Sequence, residues 1–142
     1  MSAQPYQPGT TNVAPQITAI KAAGAQVLVD FTIPTYTALG QLTSFKLGYQ
    51  PQLVISNVGA DPVTLGTMFE AFSKGQASTA LIEGAITDGY IPSVAQTSNS
   101  WIGLFKKIHD QYEPSAPFDF PTVYGMASAY TFAQALKHPA DD

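Results

Sequence analysis

The stretch that most constrains this chain is Gln26-Val27-Leu28-Val29-Asp30-Phe31-Thr32-Ile33, followed at once by Pro34-Thr35-Tyr36-Thr37. It is rich in β-branched and aromatic side chains and places apolar residues on both faces. That pattern predicts a strand buried on two sides, at the centre of a parallel sheet with helices over both faces. In open parallel sheets ligands gather at the carboxyl ends of the strands, so the polar turn 32–37 is the first place to seek a binding function.

The 142 residues suit one domain with a core of its own. A formal charge of −4, with six basic residues scattered along the chain, argues against a nucleic-acid partner, which would draw on clustered Lys and Arg. Without cysteine there are no disulfides, thiolate metal sites or Cys nucleophiles. No apolar run approaches the ~20 residues that cross a bilayer. The first eight residues, Met-Ser-Ala-Gln-Pro-Tyr-Gln-Pro, have neither the basic start nor the apolar centre of a signal peptide, so the expectation is a cytosolic protein or an excised piece.

Taken in order, Thr11 or Asn12 caps a helix with Val13, Ile17 and Ile20 at helical spacing, Pro15 in its first turn and Gly24 as its stop. After the strand, Thr35 is the expected cap of a helix burying Ala38, Leu39, Leu42 and Phe45 and ending at Gly48. Residues 52–56 read as the next buried strand, which makes a βαβ unit. Asp61-Pro62 opens a helix with Leu65, Met68, Phe69 and Phe72 on its buried stripe and Gly75 at its end. Residues 80–90 predict a third strand, bent at Gly84 and Gly89. Two further helices carry the stripes Trp101, Leu104, Phe105, Ile108, Tyr112 and Val123, Ala127, Tyr130, Leu136.

Reactive groups are sparse. His109, beside Lys106, Lys107 and Asp110, reads as a surface histidine, and His138 has no Asp, Glu or His at ligand spacing, so no metal site is indicated. Asp30 lacks the neighbouring acids and lysine that a phosphoacceptor aspartate needs. Glycine-rich phosphate loops and the Gly-x-Ser-x-Gly elbow are missing, and no paired carboxylates occur, so neither cofactor nor catalysis is expected. What recurs is small hydroxyl and amide side chains past strand ends: Thr32, Thr35 and Thr37 after the first, Ser56 and Asn57 after the second. They suit hydrogen bonding to a small polar ligand, and turn chemistry and helix capping account for the same residues.

The order of several segments resembles a known family. Pro8-Gly9-Thr10-Thr11, then Ile17-Thr18-Ala19-Ile20-Lys21-Ala22-Ala23-Gly24-Ala25 running into Val27-Leu28-Val29, then Leu47-Gly48-Tyr49-Gln50-Pro51-Gln52 carry the first part of the likeness. Glu83-Gly84-Ala85-Ile86, Phe105-Lys106-Lys107 and Val123-Tyr124-Gly125-Met126-Ala127-Ser128-Ala129 continue it in register. Together, over residues 5–137, they resemble the branched-chain amino-acid type of periplasmic solute-binding protein that feeds ABC importers.

The resemblance implies an incomplete type I periplasmic binding protein-like fold of the α/β class, a three-layer parallel-sheet lobe from a two-lobed parent. Residues 1–90 would form the second-lobe βαβ core, with a hinge crossing at 83–90. Residues 91–142 would be a helical segment crossing to the first lobe. It implies no enzyme activity, a periplasmic or extracellular site of action, and an ABC permease as the parent's partner. Ligand contacts carried over by position are Thr32, Thr35 and Tyr36 in the first loop, Ser56 and Asn57 in the second, and Tyr124 at the start of the last helix. The second loop, Ser56-Asn57-Val58-Gly59, has no acid before Asp61, which departs from the family's amino-acid binders. The alternative on the same fold is a ligand-sensing regulatory domain that controls a signalling partner. The apolar stripes in 95–137 lack the sheet they would cover in the parent, which predicts a homodimer through those helices.

Overall fold

The computed structural model describes residues 1–137 and divides into two compact units, Met1–Asp88 and a second beginning at Gly89. Among the described residues there are three short parallel strands and five α-helices, an α/β arrangement. The expectation for His138 lies outside the described residues.

In the first unit α1 (Ala14–Ala22), β1 (Val27–Asp30), α2 (Pro34–Lys46), β2 (Gln52–Ile55), α3 (Pro62–Ser73) and β3 (Ile86–Thr87) follow one another. The sheet order is β1-β2-β3, all parallel, with Leu28 beside Leu53 and Val54 beside Ile86. β1 is therefore an edge strand and β2 the centre, which corrects the reading of residues 26–33 as the central strand. β1 is also shorter than expected. Pro34 sets its own φ for the first turn of a helix and holds Ile33 extended, so the chain turns into α2 soon after Asp30.

Only one face of this sheet is covered. Leu28, Leu53 and Ile55 are buried in a cluster with Val13 and Ile17 around α1 and with Tyr36 from α2. On the opposite face Val27 and Val29 are 51% exposed and Ile86 58%, so the expectation of helices on both faces is not met in this unit. α2 packs next on α3 through Ala38, Leu42, Leu65 and Phe69.

The caps follow local chemistry. The N-cap of α1 is Val13 rather than Thr11 or Asn12, and Asn12 Oδ1 accepts the Ala14 N–H from the position before it, while Asp61 caps α3 as expected, its Oδ2 accepting both the N–H and the hydroxyl of Thr64. Gly24 and Gly48 take φ of +69° and +61° just past α1 and α2, which glycine adopts without steric cost. Thr35 does not cap α2; Ile33 occupies that position, and Thr35 lies in the first turn. The inward face of α2 also differs from expectation, since Phe45 is 63% exposed while Thr37, Gln41 and Ser44 are buried. The third strand shrinks to two residues because 79–82 form a 3-10 turn begun by Ser78, whose Oγ accepts the Ala80 N–H.

The second unit pairs α4 (Ser100–Tyr112) with α5 (Phe120–Lys137) around Ile102, Phe105 and Val123. His109 is buried here at 6% exposure with its ring 5.2 Å from that of Phe118, which corrects its assignment to the surface. Trp101, Leu104, Ile108 and Tyr112 of the expected stripe stay exposed. No described helix is long and apolar enough to cross a membrane.

Candidate functional site

Parallel pairing of β1, β2 and β3 brings three loops to one edge of the sheet, and they border a shallow, open groove on the uncovered face. Its walls come from Val29, Phe31, Val54 and Ile86, and its polar rim from Thr32, Ser56, Asn57, Thr87 and Asp88. Strand alternation explains the walls. Val29 and Phe31 are two residues apart in β1 and its extension, and Val54 is the registered neighbour of both Val29 and Ile86.

The first two loops are locked together at Gly59. A Cβ there would stand 2.3 Å from the Thr32 carbonyl oxygen and 2.6 Å from Thr37 Oγ1, so only glycine lets the second loop pass this close. Thr32 Oγ1 and Thr37 Oγ1 share a 2.6 Å hydrogen bond beneath it. The third loop is tied in by Asp88, whose Oδ1 accepts the Asn57 N–H at 2.9 Å.

Thr32, Ser56 and Asn57 thus meet at one groove, each half-buried. The Ser56 hydroxyl and the Asn57 side-chain amide make no hydrogen bond among the described residues. Thr35 is half-buried in α2 and lies outside the lining. Tyr36 belongs to the core: it is 8% exposed, its ring centre lies 4.3 Å from that of Tyr6, and its hydroxyl accepts the Gly9 N–H. Tyr124 is in the second unit, where its ring stacks on Phe120 and meets Tyr90 edge-on.

Sequence reasoning missed Asp88, Phe31 and the locking role of Gly59. Asp88 could have been found as the first acid after the third apolar segment, once that segment was confined to Ile86–Thr87. A two-sided strand over 26–33 would bury Phe31, whereas it is 80% exposed.

Asp30 ends β1 on the covered face. Burial raises its pKa from 3.8 to about 6, and the hydrogen bond donated by Gln41 Nε2 at 3.1 Å offsets part of that rise. In the second unit the hydrogen bonds from Lys106 and then His109 hold the exposed Asp110 carboxyl below its ordinary range. Among the described residues no three His, Cys, Asp or Glu side chains gather as a metal site. Comparisons with protein-family models, curated proteins and solved structures found no match to this chain.

Proposed function

We propose that residues 1–90 are the second-lobe core of a solute-binding protein, of the kind that captures a small polar solute outside the cytoplasm and passes it to an ABC permease. The observation that carries this reading is the groove at the carboxyl ends of β1, β2 and β3, where Ser56 and Asn57 present unpaired polar groups above apolar walls. Such a mixture holds a small molecule by burying its body and orienting its polar atoms. The segment resemblance over 5–137 supplies the transport context and the first lobe that would complete the cleft. The protein performs no chemistry on the solute; it binds and releases it.

One lobe offers only part of the hydrogen bonding that a closed cleft would, and each bond contributes roughly 0.5–1.5 kcal/mol, so binding to this chain alone is weak. Saturation-transfer NMR detects such binding. With L-leucinamide, L-glutamine and butyramide as probes, transfer is expected from the native chain and not from Ser56→Trp, whose indole fills the groove. Equal transfer from both proteins, or none from the native chain, would overturn the proposal.

A further inference from the structure

The charged side chains around the groove are one-sided. The chain contains no arginine, and the three lysines of the first unit all stand at helix C-termini: Lys21 in the last turn of α1, Lys46 in that of α2, and Lys74 as the C-cap of α3. Helices that connect parallel strands run opposite to them, so the C-termini of α2 and α3 sit where the strands begin, at the far end of the layer from the groove. Lys21 is held at that same end by the Leu47 carbonyl, just past α2.

Carboxylates collect at the groove end. Asp30 closes β1, Asp61 precedes α3, and Asp88 follows β3. Of these, Asp88 alone lines the groove, and it is the one formally charged side chain that does. With Oδ1 engaged by the Asn57 N–H, the carboxyl is fixed in orientation beside Val54 and Ile86. The opposing contribution is the N-terminus of α2. Its first residue is Pro34, which has no N–H, and a helix end carries about half a charge against the full charge of a carboxylate.

Resting on the reading of the groove as a solute site, we infer that its solute is an organic cation with an apolar body, and that Asp88 is the counter-ion. An ammonium group of a few atoms reaches the carboxylate while the hydrocarbon lies along Val29, Phe31, Val54 and Ile86. An anion of the same shape meets Asp88 with like charge and finds no cation in the lining.

Three compounds of one shape and different charge test this: 2-phenylethylamine, 2-phenylethanol and phenylacetate, each titrated into the native chain and into Asp88→Asn. The asparagine keeps an oxygen for the Asn57 N–H, so the loop stays in place, and an unchanged amide spectrum verifies it. The native chain is expected to rank amine above alcohol above acid. Asp88→Asn is expected to weaken the amine about threefold, as for a partly exposed charge pair, and to leave the alcohol unchanged. If alcohol or acid binds as well as the amine, or the substitution leaves the amine unaffected, the charge preference is wrong while the groove stands. If none of the three binds, the groove reading falls with it.

Discussion

Asp30 makes the stability of the fold depend on pH in a direction opposite to the usual aspartate. Its pKa of about 6 in the folded chain lies above the ordinary 3.8, so between those values the folded state holds a proton that the unfolded state has released. Stability therefore falls as pH rises from about 4 to 6 and levels off above, by at most about 3 kcal/mol for a shift of this size. Asp30→Asn keeps an acceptor for Gln41 and removes the ionisation. Urea denaturation at pH 4, 5, 6 and 7 is expected to show the variant matching the native chain at the acid end and exceeding it at pH 7; a native profile rising over that range would contradict the buried carboxyl. Gly59 is the second sensitive position. A methyl group there meets backbone at Thr32 rather than a flexible side chain, so Gly59→Ala is expected to cost about 1–3 kcal/mol in the same assay. Neither effect was legible in the sequence. Asp30 read as the lone charge of a strand and Gly59 as a loop residue, and both consequences come from what α2 and the first loop bring against them.

At the scale of elements, the two faces of β1 predict unequal responses. Leu28, 4% exposed, packs among Val13, Ile17 and Leu53, and Leu28→Ala is expected to cost about 2–5 kcal/mol. Val27, its neighbour on the open face, should tolerate threonine within about 0.5 kcal/mol. Comparable losses at both positions would mean that the open face is covered in solution. The sequence made the two residues look alike because a residue type records what a position tolerates, not which neighbours arrive. The same reason separates the legible parts of the helices from the illegible ones. Asp61-Pro62, Gly24 and Gly48 act through their own backbone and were readable. The buried stripe of α2 was not, because Thr37 and Gln41 become compatible with the interior through hydrogen bonds to Thr32 and Asp30, residues of another element. His109 was misassigned likewise: its charged neighbours suggested solvent, and the ring of Phe118, from the loop before α5, covers it.

At the scale of the whole molecule, the second unit leaves Trp101 of α4 45% exposed and Phe132 and Leu136 of α5 67% and 66%, each forgoing part of the about 1.5–3 kcal/mol that full burial of a large apolar side chain contributes. A second copy can cover them, and sedimentation equilibrium at micromolar concentration is expected to return twice the 15.1 kDa chain mass; a monomer would show that these helices need no partner. The groove itself was half legible. Thr32, Ser56 and Asn57 followed from the rule that ligands gather past parallel strand ends, while Phe31 and Asp88 required knowing which face stays open and where β3 stops. A titration of the 15N-labelled chain with 2-phenylethylamine and with butyramide tests whether this groove binds a small solute. Amide shifts are expected to concentrate in residues 31–33, 56–58 and 86–88; shifts concentrated elsewhere, or none with either compound, would show that it does not.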